Sequence, residues 1–168
     1  WDGIKYVIDT LSTNYQEMVH PDKIYTDEMA KMSVKYIKEK KPVLGAFIFD
    51  NPDHVGHDTG HDTPEYYVNL KVLDGYIGEI IQATKDAGIY ENCIFIVTSD
   101  HGGINKGHGG KTLEEINTPF IIAGKGIKKG GEFQESMMQF DCAPTVLQIF
   151  DLESPQVWTG RSMSQVFE

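Results

Sequence analysis

Five of the six histidines of this chain fall between positions 54 and 108, in two short stretches rich in Gly and Asp. The first reads Asn51-Pro52-Asp53-His54-Val55-Gly56-His57, with His61 four residues on. The second reads Ser99-Asp100-His101-Gly102-Gly103 and continues through Gly107-His108-Gly109-Gly110 to Lys111. Carboxylate and imidazole together are good donors for zinc and for manganese. A lone Asp-x-x-x-His pair carries little information, and so does an Asp-His dipeptide. Two such groups close together, with His108 following, point to a metal site. Glycines flank nearly every candidate ligand and allow tight turns and close backbone approach.

The elements that must position these residues alternate between helix and strand. Thr26 reads as an N-cap, with Asp27 and Glu28 in the first turn of a helix over about 27–40. Met29, Met32, Tyr36 and Ile37 recur on it at helical spacing. Val43 to Phe49 reads as a strand buried on both faces, bounded by Pro42 and Asp50. The first His-rich stretch follows as a polar loop. Thr63 then caps a helix over 64–87, with Pro64 at its first position. Its stripe is Tyr66, Leu70, Leu73, Ile77, Ile80 and Thr84, and Gly88 ends it. Cys93 to Thr98 is a second buried strand and residues 99–118 a second polar loop. Phe120 to Ala123 is a third strand. Asp141 caps a last helix to about Phe150, and an irregular tail follows from Ser154. Such alternation predicts an α/β sheet with parallel pairing. Both His-rich loops follow the C-terminal ends of strands, where open α/β sheets place their sites.

Composition limits the functions open to the chain. Its 168 residues can bury a hydrophobic core, and no Pro/Gly-rich linker divides them. A net charge of −10 argues against binding duplex nucleic acid. An anionic substrate then needs a local reversal of the field, which bound divalent cations supply. Cys93 and Cys142 are too few for a disulfide framework and read as two buried thiols. No apolar run is long enough to span a bilayer.

The ordered motifs resemble the alkaline phosphatase superfamily, and within it type I phosphodiesterases/nucleotide pyrophosphatases and phosphoethanolamine transferases. The matching pieces are Pro52-Asp53-x-x-Gly56-His57, Thr98-Ser99-Asp100-His101-Gly102, His108-Gly109-Gly110 and Thr118-Pro119-Phe120. Gln139-x-Asp141-x-x-Pro144-Thr145 resembles a helix start late in these folds. The likeness covers about positions 43 to 162. It implies an alkaline-phosphatase-like layered α/β/α sheet, mostly parallel and present here as a partial fold. Residues 1–168 would be the C-terminal metal-binding part of the catalytic domain. The resemblance also implies two divalent ions, usually zinc, with manganese as the alternative. Asp53, His57 and His108 match the ligands of one ion, and Asp100 and His101 match ligands of the other. A further Asp and a Thr or Ser nucleophile are expected upstream of Trp1. Asp9, Thr10, Ser12 and Thr13 do not have the setting of that segment.

The expected reaction is two-metal hydrolysis of a phosphoric ester through a covalent phospho-enzyme. The expected partners are the phosphate-ester substrate and the N-terminal half of the same domain, and the chain without that half is expected to be inactive. His54 and His61 match no family ligand and read as loop or surrounding histidines. Lys111 can meet a phosphate or sulfate oxygen but reads better as solvated, and Glu114 and Glu115 read as a solvated turn. The alternatives are a sulfatase, a metal-dependent phosphosugar mutase, a phosphoethanolamine transferase, and a metal-binding module without turnover. The family's habit suggests a periplasmic or extracellular location. Apolar surface left uncovered by three helices would favour self-association, or capping of the sheet by residues 1–25.

Overall fold

In a computed structural model, residues 26–168 are described. The apolar patch Ile4 to Ile8 and the polar run Asp9 to Thr13 lie outside them, as does any capping of the sheet by residues 1–25. The elements run α1 (Thr26–Lys40), α2 (Asp53–Thr59), α3 (Pro64–Asp86), β1 (Ile94–Thr98), α4 (Leu113–Ile116), β2 (Phe120–Gly124) and α5 (Cys142–Ile149). Two compact units result. Of the described residues, the first holds 26–90 together with Gly103–His108, and the second is Glu91–Gly102 with Gly109–Glu168.

In the first unit α1 packs on α3. Helix α3 begins as its sequence requires. The Thr63 hydroxyl accepts from Tyr66 N–H at 3.3 Å, and Pro64 occupies a position whose N–H would have no helical partner. Gly88 ends it at φ +72°, a conformation that costs glycine nothing. Ile37, Ile80 and Ala83 form the core of the pair, with Val34, Phe47, Phe49, Ala87 and Ile89 around them. Burying each isoleucine contributes about 1.5–3 kcal/mol. Residue by residue, the buried face of α1 is Ala30, Ser33 and Ile37, with Met29, Met32 and Tyr36 half-buried beside it. The Lys38–Asp86 ion pair at 2.7 Å also joins α1 to α3. It is exposed, so it adds little stability.

Val43 to Phe49 is not a buried strand. No strand pairs with it among the described residues, so its backbone has no ladder to join. Phe47 and Phe49, two residues apart, turn to the α1–α3 core. Val43, Leu44 and Ile48 face solvent, Val43 at 86% exposure. The expected loop after it is a helix instead. Residues 53–59 form α2, too short for hydrophobic periodicity to reveal.

In the second unit β1 and β2 pair antiparallel, from Ile94 opposite Gly124 to Thr98 opposite Phe120. Parallel pairing was expected. A parallel return is usually made by a helix that runs back the length of a five-residue strand, about 17 Å. The connection holds only the four-residue α4, about 6 Å of helix. The core here is Ile127, Met163 and Val166, flanked by Ile94, Ile122, Phe133, Met137 and Phe167. The tail is irregular, as expected, yet it is packed. Lys128 N–H donates to Val166 O at 2.9 Å and Glu168 N–H to Gly126 O at 3.0 Å.

A buried polar knot fastens that tail to α5. Asp141 accepts from Met138 N–H and from Arg161 N–H, both at 2.8 Å. The Thr145 hydroxyl donates to Asp141 O at 2.7 Å and accepts from Met163 N–H at 3.0 Å. Thr145 is fully buried. Every polar group in this knot therefore has a partner, which is the condition for burying it cheaply. Both cysteines are half-buried rather than fully buried. Burial pushes the Cys142 thiol above its ordinary range.

Candidate metal centre

Helix α2 gathers the first two donors. Asp53 and His57 stand four residues apart, so one helical turn puts them on the same face. Their side chains approach to 3.4 Å, His57 Nε2 to Asp53 Oδ2. The third donor comes from the segment 103–108 of the same unit. His108 Nε2 lies 3.2 Å from His57 Nε2 and 3.6 Å from Asp53 Oδ1. These three form a group able to hold a metal ion, and no other group of three His, Cys, Asp or Glu does so among the described residues.

The distances fit an ion. Ligands about 2.0–2.1 Å from a tetrahedral zinc stand about 3.3–3.4 Å apart. The two histidine nitrogens stand 3.2 Å apart, and each lies near that distance from one oxygen of Asp53, His57 at 3.4 Å from Oδ2 and His108 at 3.6 Å from Oδ1. Asp53 Oδ1 is buried and has no hydrogen-bond partner. A buried carboxylate oxygen without a donor is costly, and a cation would satisfy it. The histidine tautomer agrees. His57 Nδ1 lies 2.9 Å from Lys106 O. A carbonyl only accepts, so Nδ1 carries the proton and Nε2 offers its lone pair to the donor group.

His61 lies against this group but outside it. Its side chain is 7% exposed, and Nε2 stands 3.8 Å from Asp53 Oδ1. Tyr66, the first inward residue of α3, packs its ring 5.3 Å from the His61 ring. The Tyr66 phenol is held above its usual range, first by burial and then by the Asp53 charge. His54 follows Asp53 on α2 and is exposed.

Asp100 and His101 belong to the second unit, directly after β1. His101 Nε2 is 3.7 Å from Asp100 Oδ1, and Asp100 is 72% exposed. Gln139 holds their backbone. Its side-chain N–H groups donate to Ser99 O at 3.0 Å and to Asp100 O at 2.8 Å. Lys111 is exposed, as the solvated reading expects. Glu115 is not a solvated residue. It is buried on α4 and accepts from Gly110 N–H at 2.8 Å, Thr112 N–H at 3.3 Å and the Thr112 hydroxyl at 2.8 Å. The spacing Thr112-x-x-Glu115 is a capping box, a signal that was present in the sequence. The carbonyls of Asn105 and Lys106 that anchor the histidines left no such signal, because every residue has one.

The model of the type I phosphodiesterase / nucleotide pyrophosphatase family matches residues 6–130. The chain belongs to that family. Among curated relatives, a human ectonucleotide pyrophosphatase/phosphodiesterase family member 5 is 33% identical over 46% of the chain and 16% of its own length. A Drosophila melanogaster extracellular sulfatase SULF-1 homolog is 26% identical over 89% of the chain and 18% of its own length. A 2,3-bisphosphoglycerate-independent phosphoglycerate mutase of Wolbachia pipientis is 28% identical over 81% of the chain and 26% of its own length. The chain thus spans about a quarter or less of these relatives. Among solved structures, a 2-O GAG sulfatase superposes with TM-score 0.71 at 17% identity, over 90% of this chain and 47% of that one. The fold of this family member is therefore alkaline-phosphatase-like α/β, present here in part. No helix among the described residues is long and apolar enough to cross a membrane.

Proposed function

We propose that this chain supplies the metal-holding part of a phosphoric-ester hydrolase of phosphodiesterase/nucleotide pyrophosphatase type. The observation that carries the reading is the convergence of Asp53, His57 and His108 on one donor group within a member of this family. Asp53, His57 and His108 would hold one divalent ion, zinc before manganese. Asp100 and His101 would contribute to a second. Cations so held supply Lewis acidity and neutralise charge on the transferring phosphoryl group. The chain's own residues prepare for that. Lys106 O fixes the His57 tautomer, α2 aligns two donors, and Gln139 holds the peptide that carries Asp100 and His101. A net charge of −10 makes such local neutralisation necessary before an anionic ester can approach.

Sulfate-ester hydrolysis is the second reading, favoured by the long match to the extracellular sulfatase homolog. The Asp53/His57 pair on one helix tips the balance to phosphoric esters, because the resemblance to phosphodiesterases rests on that pair. An extracytoplasmic location accords with both readings.

The test uses the longest natural protein that carries this chain, loaded with zinc. It compares turnover of bis(p-nitrophenyl) phosphate, p-nitrophenyl phosphate and p-nitrophenyl sulfate. The expected order puts the diester first. Asp53→Asn and Asp100→Asn should each lower that turnover by about 100-fold or more. Preferred turnover of the sulfate ester would replace this reading with the second one.

A further inference from the structure

Building on the metal-site reading, we propose that His61 is a positioning residue that locks the segment 103–108 onto α2 and so brings His108 to Asp53 and His57.

Four contacts made by His61 or its neighbours support this. The His61 backbone N–H donates to Asn105 O at 2.6 Å, and its ring Nδ1–H donates to the same oxygen at 3.0 Å. The Lys106 ammonium donates to Asp58 O at 2.8 Å, and His57 Nδ1–H donates to Lys106 O. Two successive carbonyls, three and two residues before His108, are thereby gripped from α2 and the turn after it. The His61 ring also fills a slot between two glycines. A Cβ built at Gly56 would lie 2.5 Å from His61 Nε2, and one built at Gly103 closer still. Gly56 sits on α2 between two of the donors, and Gly103 opens the segment that carries the third. The ring is thus the spacer that sets their separation.

The same geometry keeps His61 out of the donor group. Its Nε2 stands 3.8 Å from Asp53 Oδ1, against 3.4 and 3.6 Å for His57 and His108 to the same carboxylate. His57 has the same Nδ1–carbonyl anchor, but only Asp53, His57 and His108 bring donor atoms together as one group, so His61 holds ligand-bearing chain in place from beside it.

The experiment titrates zinc by chelator competition and records the visible absorption of cobalt in the 168-residue chain. The native chain is compared with His61→Ala, His61→Asn and Gly103→Ala. The Asn carboxamide N–H reaches about where Nδ1–H stands. The expected result is a 10- to 100-fold weaker zinc affinity in His61→Ala. His61→Asn should recover most of that loss, with a cobalt spectrum like the native one. Gly103→Ala should weaken zinc although the imidazole is intact. Native affinity in His61→Ala would overturn the proposal, even if the metal-free chain melts lower. A His61→Asn chain as weak as His61→Ala, with altered cobalt bands, would also overturn it and make the ring a ligand. A native chain that takes neither metal would refute the site reading itself. Should His61→Ala fail to fold, Gly103→Ala and His61→Asn decide alone.

Discussion

At the scale of single residues, the chemistry of this chain depends on donors whose partners are fixed in advance. Asp53 Oδ1 is buried without a hydrogen-bond partner, and His57 has its proton committed to Lys106 O. Replacing His57 by Ala removes a donor that no neighbour can substitute. The zinc affinity of the chain should then fall by about 100-fold or more, read by competition with a chromogenic chelator. Equal affinity in both proteins would remove Asp53, His57 and His108 from the site. Glu115 gives a second prediction. Its carboxylate accepts from Gly110 N–H and from two donors on Thr112. Glu115→Ala leaves those donors short of partners and should cost about 1–3 kcal/mol in urea unfolding. Reading Glu115 as solvated missed the capping box that Thr112 announces.

Among elements, the α1–α3 pair carries the first unit. Ile80 is 9% exposed and shares one core cluster with Ile37 and Ala83. Ile80→Ala should destabilise the chain by about 2–4 kcal/mol, measured by denaturant unfolding. The Lys38 ammonium, 2.7 Å from Asp86, holds that carboxyl below its ordinary value of 3.8, with Gln82 assisting. The sign follows from linkage. A lowered folded-state value means the pair helps above the unfolded value and is lost as pH falls through the folded one. Titration of Asp86 by NMR should therefore show a midpoint below 3.8 that returns toward it in Lys38→Met. The helix α2 was illegible because seven residues are too few to show a period, and two of them are the histidines that suggested a loop. The ends of helix α3 were legible, since its cap, its proline and its terminal glycine each act locally, but its stripe was legible only in part: Leu70 is exposed, and Ala83, which the stripe omitted, is buried.

For the whole molecule, metal binding and stability must move together. An ion that binds only the folded chain adds about 2.7 kcal/mol at 100 times its dissociation constant. The melting temperature should rise with zinc and fall back with a chelator, and it should do neither in Asp53→Asn. A second consequence comes from apolar side chains that nothing covers among the described residues. Val43 and Leu44 in the first unit and Val157 and Trp158 in the second are exposed, and no third strand joins the two-stranded sheet among the described residues. Such surfaces invite association. Sedimentation at rising concentration should show self-association that Val43→Lys with Leu44→Lys reduces. A monomer at every concentration would contradict it.

The sequence alone determined the donor types, the family and the ends of α3. Each of these is written in residue identity or in contacts a few positions apart. It did not determine that Val43 to Phe49 would lack a partner strand among the described residues, or that β1 and β2 would run antiparallel. Strand pairing is a contract between distant segments, and an apolar run reads the same whether or not a neighbour arrives. Nor did it show that Asn105 O and Lys106 O anchor His61 and His57. Backbone carbonyls carry no residue signature, so only the folded chain reveals which of them lie beneath a ring nitrogen.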